Sequence, residues 1–389
     1  MPLTAAGVDA AREPRRASPR IRRAVSTDLV TIARGGGSVN PSDEPEAVID
    51  LVLAARHHRV APLLHRAVRG SAPAIAALVE PDRRLAIGHH LGATLMLEEF
   101  AAVAGSLPWV TFKGPVLSEL AHPVPGMRTY NDVDLLVDPR DLREITNRLL
   151  DAGWTVGDYQ DMLRNPDTPG EMHWFSPTGL AVDLHWSMIN MAVRRAQFAV
   201  STEELLARRV QVTLGLNRAW TMDAADALVH ICLHAALTGA NRLLLLVDAD
   251  RMAARVDDWD DVARRARAWR AAPHVALVLA RARRVLGTPL PANLPRMLGA
   301  TRPFRILTAA LDLAAPVPAA RQEAGPARLV ARAVQPWAAR TVVASGRSSA
   351  RALRERLGAP TTRPPRERLP ADLESLSVYL AGVESSTRG

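Results

Sequence analysis

Asp132 and Asp134 stand two residues apart in the run Asn131-Asp132-Val133-Asp134-Leu135-Leu136-Val137. On a β-strand that spacing puts both side chains on one face, with Cα atoms about 6.5–7 Å apart. Two like charges at the edge of an apolar run repel unless something offsets them. A divalent cation does so, and carboxylates that leave water positions open suit magnesium. The plainer reading is a pair of surface aspartates at a strand start. A third carboxylate tips the balance. In residues 180–186, Leu180, Val182, Leu184 and Trp186 alternate onto one apolar face, while Asp183 and His185 share the other with Ala181. If that strand lies beside residues 133–137, three carboxylates converge. Three carboxylates can hold two magnesium ions, which activate an attacking oxygen and neutralise a triphosphate.

Cations of the right kind lie upstream. The chain has 49 lysines and arginines, and Lys113 is the only lysine among them. It sits in Trp109-Val110-Thr111-Phe112-Lys113-Gly114-Pro115. An ammonium is a compact point charge, whereas a guanidinium is a rigid fork, so the two are not interchangeable at a phosphate. Gly114 allows close approach of a phosphate to the backbone. Pro115 suits the first turn of a helix whose N-terminal amides face an anion. Lys113 and Gly114 are therefore candidate nucleotide-binding residues, with Arg128 in Met127-Arg128-Thr129-Tyr130 as a second phosphate clamp. A coding bias against lysine and an ordinary loop arginine are the competing explanations. His230 and His234, four apart on an expected helix, share one face, and Asp226 lies a turn earlier. They are too few for a zinc site. With His185 they are candidates to face substrate.

The elements that must position these groups follow from periodicity. Apolar residues recur at helical spacing from Val48 to Leu64, and again through Leu78, Leu85, Ile87, Leu91, Leu95, Leu97 and Phe100. Residues 45–106 read as an N-terminal bundle of three or so helices. At Leu107 the period changes. Strands are expected at 109–113, 133–137, 154–159, 172–175 and 180–186, the last two joined by Ser176-Pro177-Thr178-Gly179 as a type I turn. Asp138-Pro139 reads as a helix start, with Gly153 placed to stop that helix. Residues 107–222 thus form an α/β domain around one small mixed sheet. Helices are expected at 223–237, 243–254, 260–269 and 274–286, making 223–300 a helical domain. Residues 301–389 read as a helical extension and disordered tail, with helices at 303–314, 327–344 and 347–357 and a Pro/Arg linker at 360–368. The fold class is α+β: a small mixed sheet flanked by N- and C-terminal helical regions.

Composition bounds the rest. The 389 residues allow two or three domains, and a 48% hydrophobic fraction fills real cores. With aromatics at 4%, Leu, Val and Ala must do most of the packing. The net charge of +9 suits an anionic partner. Residues 1–44, Arg-rich and without an apolar h-region, are expected to form a disordered basic arm. A single cysteine, Cys232, excludes an internal disulfide and points to a reducing cytoplasm. No run of about 18 apolar residues is present, so no membrane span is expected.

Phe112-Lys113-Gly114, Arg128, the run Asp132 to Val137 and Val182-Asp183-Leu184-His185-Trp186 together resemble an uncharacterised bacterial nucleotidyltransferase family of the DNA polymerase β-like superfamily. Leu228-Val229-His230-Ile231-Cys232-Leu233-His234, Arg242-Leu243, Leu246-Val247-Asp248 and Asp258-Trp259-Asp260 are similar to the family's helical half. The resemblance covers roughly residues 45–290. It implies two magnesium ions and nucleotidyl transfer from a nucleoside triphosphate. The superfamily's usual Gly-Gly or Gly-Ser is replaced here by Lys113-Gly114, with seventeen residues between Gly114 and Asp132.

The expected function is magnesium-dependent transfer of a nucleoside monophosphate from a nucleoside triphosphate to an acceptor that is a small molecule, peptide or nucleic acid. Asp132, Asp134 and Asp183 bind metal and catalyse; Lys113, Gly114 and Arg128 bind the nucleotide. Two alternatives stand beside it. One is a non-catalytic nucleotide- or nucleic-acid-binding module, and the other is a toxin- or resistance-type transferase on the same fold.

Overall fold

Helix α1 (Pro19–Ala33) is the first described element, with Ser18 accepting from the Ile21 amide as its N-cap. The computed structural model describes residues 18–35, 39–158, 162–314, 316–317, 369–370 and 372–387. Residues 1–44, expected as a disordered arm, therefore contain a packed helix. Ile21, Val25, Leu29 and Ile32 fall on one face of α1 and are buried, and arginines hold the other. The arginine count masked that stripe. Three more helices follow: α2 (Pro45–His57), α3 (Ala61–Val68) and α4 (Pro73–Ala104). Each carries proline in its first turn, where the amide hydrogen has no helical partner to lose. Helix α4 bridges two cores, with Leu78 and Val79 in one and Met96, Leu97 and Phe100 in the other. Leu85, Leu91 and Leu95, which fit the apolar periodicity, are instead 75%, 59% and 60% exposed.

Among the described residues the main sheet has six strands. They are β1 (Trp109–Phe112), β2 (Val133–Val137), β3 (Thr155–Asp158), β4 (Glu171–Phe175), β5 (Ala181–His185) and β8 (Leu369–Pro370). Their order is β1-β2-β5-β4-β3-β8. Only β2 and β5 run parallel; the other neighbours are antiparallel. The sheet divides the two cores. Val133, Leu135 and Val137 of β2 and Val182 and Leu184 of β5 enter one, while Leu136 enters the other. Val133, Leu135, Leu136 and Val137 are completely buried, each contributing about 1.5–3 kcal/mol. That burial anchors the strand on which Asp134 must be held. The hairpin turn forms as expected, with the Gly179 amide donating to the Ser176 carbonyl at 2.8 Å and Gly179 at φ +83°.

Two local expectations fail. Helix α6 (Leu142–Asp151) begins at Asp141, not Asp138. Asp138 instead accepts from the Arg140 amide at 2.8 Å and pairs with the Arg140 guanidinium, and these bonds hold it out of the cap position. A separate hairpin, β6 (Val210–Leu214) and β7 (Asn217–Thr221), also escapes the periodicity, because half its residues face solvent.

Helix α5 (Gly114–Leu120) follows β1 directly. Beyond the hairpin come α7 (Ala224–Thr238), α8 (Leu243–Ala253), α9 (Trp259–Ala268) and α10 (Ala272–Leu286), all close to expectation. Helices α7, α8 and α10 pack on one another, and Leu228, Leu246 and Val278 are completely buried there. Helix α11 (Arg302–Ala314) matches the expected 303–314. The helices expected at 327–344 and 347–357 and the linker at 360–368 lie outside the described residues. The expected tail is not wholly disordered, because α12 (Leu373–Thr387) buries Leu376, Tyr379, Leu380 and Val383 against the sheet. Among the described residues, no helix is long and apolar enough to cross a membrane.

Candidate active site

Strand pairing assembles the site. The parallel register of β2 and β5 sets Asp134 opposite Asp183. On the other side of β5, the antiparallel register sets His173 opposite Asp183 and Glu171 opposite His185. Five polar side chains, those of Asp134, Asp183, His185, His173 and Glu171, thus meet on the sheet face that Asp134 shares with Leu136. Asp132 stands just before β2 and lines the same cavity. Ligand atoms of Asp134, Asp183 and His185 lie within 4.8 Å of one another. Asp132, expected in the metal-binding trio, lies beside this set, and His185 joins Asp134 and Asp183 in it.

Three hydrogen bonds and one ion-pair contact tie these groups together. The Lys113 ammonium donates to Asp134 Oδ1 at 2.8 Å and lies 5.1 Å from the centre of the Phe112 ring. His185 Nε2 is 3.2 Å from the same oxygen, and its Nδ1 is 3.3 Å from Glu171 Oε2. His173 Nδ1 meets Asp183 Oδ1 at 2.5 Å. Burial pushes the Asp134 carboxyl up, but the Lys113 charge and the His185 bond outweigh it and hold the group well below the usual carboxylate range. Burial opposes charge on His185, yet Glu171 and Asp134 raise its pKa. Asp132 has weaker support, from the charges of Lys113 and Arg59. Burial, then the fields of Asp134 and Asp183, push it up to about 6. Two carboxylates and an imidazole within reach, beside a third carboxylate under like-charge stress, fit a divalent cation.

Gly114 owes its small size to its surroundings. A Cβ there would come 3.1 Å from the Tyr130 ring and 3.3 Å from the Asp132 carbonyl oxygen. Lys113 just before it has φ +56° and ψ −113°, a conformation L-residues avoid. Arg128 lines the cavity but is itself held. Its Nε and Nη2 fork onto Asp248, with contacts of 2.9–3.2 Å, and His122 Nε2 reaches the same carboxylate at 3.3 Å. His230 and His234 also line the cavity, the former edge-on to Phe112 at 5.1 Å. Burial, then the Lys113 charge, keeps both neutral, His234 at about 3. Asp226 points elsewhere and pairs with Arg208 and Arg265.

The cavity has a volume of about 480 Å³ and includes all nine residues singled out in the sequence. Reading by residue type missed Glu171, His173, Arg59 and Arg194. Glu171 and His173 carry a signal in retrospect: they alternate on the first hairpin strand, and the turn at 176–179 fixes them opposite His185 and Asp183. The arginines carry none, in a chain where arginine is everywhere.

No curated protein matches the chain. The family model of an uncharacterised nucleotidyltransferase matches residues 45–287, which take in α2 through α10 and every site residue named above. The chain belongs to this uncharacterised nucleotidyltransferase family.

Proposed function

We propose that the chain moves a nucleoside monophosphate from a nucleoside triphosphate to a hydroxyl-bearing acceptor, with a divalent cation. The observation that carries this reading is the parallel register that sets Asp183 against Asp134, beside Lys113, in a cavity of a volume usual for small-molecule sites. Asp132, Asp134 and Asp183, with His185 alongside, would hold magnesium, two ions by charge count, which supplies neutralisation of the triphosphate and activation of the attacking oxygen. The acceptor oxygen attacks the α-phosphorus and forms a new P–O bond. The bond from that phosphorus to the bridging oxygen breaks, and its electron pair leaves with pyrophosphate. The hydroxyl proton passes to Asp183, whose other partner is His173. Lys113 and Arg128 carry the charge of the departing pyrophosphate. Asp248 orients the Arg128 guanidinium for that purpose.

Asp132→Asn and Asp134→Asn test the reading. With an α-labelled triphosphate, magnesium and lysate as acceptor source, each is expected to lower label transfer at least ~100-fold while circular dichroism stays that of the wild type. EDTA should stop transfer and added magnesium restore it. Intact turnover in both variants rules the assignment out.

A further inference from the structure

A second cavity, about 830 Å³ in volume, adjoins the first at the carboxylates. Asp132, Glu171, Asp183 and Asn190 line both, so the reacting carboxylates are the wall between them. The two sides differ in charge. The first cavity is lined by Arg59, Lys113, Arg128, Arg194 and Arg242. The second has no lysine or arginine among its described lining residues. It presents the carboxylates of Asp132, Asp167, Glu171 and Asp183 against the single imidazole of His173, with Asn131 and Asn165 as further polar groups. Two arginines close by in sequence are committed, Arg195 to backbone carbonyls of residues that line this cavity and Arg164 to a carboxylate of the C-terminal segment. Arg195 donates to the carbonyls of Asn190, Asp167 and Thr168 at 2.6–3.1 Å and stacks on Trp186, and Arg164 pairs with Asp372.

Resting on the nucleotidyl-transfer reading, we propose that this second cavity is the acceptor site and that the acceptor is a small alcohol carrying amine or guanidine cations. In-line displacement needs the attacking and leaving oxygens on opposite sides of the α-phosphorus. With the triphosphate among the cations of the first cavity, the open approach to the shared carboxylates is from the second. A phosphorylated or nucleic-acid acceptor would bring anions against four carboxylates. A cationic alcohol finds them complementary, and the asparagine amides offer partners to its hydroxyls. The volume lies within the roughly 300–1,000 Å³ of small-molecule sites. The chain's net charge of +9, which suits nucleic acid, is thus opposed at this face.

The test separates a lysate by ion exchange into cation-, neutral- and anion-retained pools, and by ultrafiltration into small and macromolecular material. Each pool is incubated with the full chain, magnesium and α-labelled triphosphate. Label is expected in the small, cation-retained pool. Asp167→Lys, at the rim, is expected to raise the KM for that pool at least ten-fold and leave the KM for the triphosphate unchanged. Label confined to the anion-retained or neutral pool overturns the proposal, as does an acceptor KM unmoved by Asp167→Lys. Label confined to macromolecules overturns the size assignment. Equilibrium binding of the triphosphate with magnesium is measured in parallel. Absence of that binding, or binding without label in any pool, sinks the transfer reading itself, whereas label in the wrong pool counts against the acceptor site alone.

Discussion

Lys113 brings a conflict of two local preferences to the site. Its backbone sits at φ +56°, ψ −113°, a region that costs a non-glycine residue about 1–3 kcal/mol. Its ammonium meanwhile pairs with buried Asp134 at 2.8 Å, and removing one partner of such a pair costs about 3–5 kcal/mol. The pair outweighs the strain, so the side chain holds the backbone where glycine would be easier. Lys113→Ala should therefore lose the pair and keep the strain, while Lys113→Gly loses the pair and sheds the strain. Urea denaturation is expected to show both variants less stable than the wild type, with Gly the more stable of the two by about 1 kcal/mol. Equal stability would mean that position 113 is not strained. Lys113→Arg keeps the charge but replaces the compact donor, and it should lower kcat/KM for the triphosphate about ten-fold or more, roughly 1.4 kcal/mol. Sequence made Lys113, Asp132 and Asp134 conspicuous because count and spacing are properties of one strand. Glu171 and His173 become visible only once strand register is known, because their partners are ten or more residues away on β5.

At the scale of elements, the sheet and the helical half are joined through Arg128, Asp248 and His122, which link the loop before β2, helix α8 and the segment after α5. All three are buried. Burial pushes the Asp248 carboxyl up, and the Arg128 charge more than offsets it, leaving the group at about 2. Burial pushes His122 down to about 4 against the pull of Asp248. The signs give two windows. Between pH 6.5 and 4 the unfolded chain protonates His122 while the folded chain does not, so stability falls on acidification. Below about pH 3.8 the unfolded chain protonates Asp248 first, and that stabilisation is lost as pH falls toward 2. Asp248→Asn strands a buried guanidinium and should cost about 3–5 kcal/mol at pH 7. It should also remove Asp248's share of the lower window, leaving a shallower slope there. Unfolding free energies measured from pH 7 to 2.5 check both, and an unchanged low-pH slope in the variant would place the titration elsewhere. Most helices between residues 45 and 314 and five of the main-sheet strands were legible because their apolar periods are regular, whereas α1 and α12 were not. The start of α6 was not, since Asp138 prefers the adjacent Arg140 to the helix cap, a choice between two local bonds that composition does not decide.

At the scale of the whole molecule, the chain closes on itself well beyond the family match, which ends at residue 287. Strand β8 pairs with β3, and α12 lies against the core that backs the carboxylate strands. One side chain makes the tie specific. The Tyr379 hydroxyl accepts from Trp186 Nε1 at 2.9 Å and donates toward the carbonyls of Pro169 and Glu171. Trp186 follows β5, and both Pro169 and Glu171 line the second cavity, so the C-terminal helix braces the wall of the proposed acceptor site. Tyr379→Phe keeps the ring and its packing while removing the hydroxyl. Trp186 Nε1 retains the Pro169 carbonyl at 2.9 Å, so the cost should stay near that of one or two buried hydrogen bonds, about 1–3 kcal/mol. Urea denaturation should report that loss. The kinetic signature should be one-sided: KM for the acceptor rises several-fold, and KM for the triphosphate, whose proposed site lies among Lys113, Arg128 and Arg59 in the first cavity, stays put. A rise in both would mean that α12 supports the sheet as a whole. A rise in neither, with stability unchanged, would mean that it only covers an apolar face.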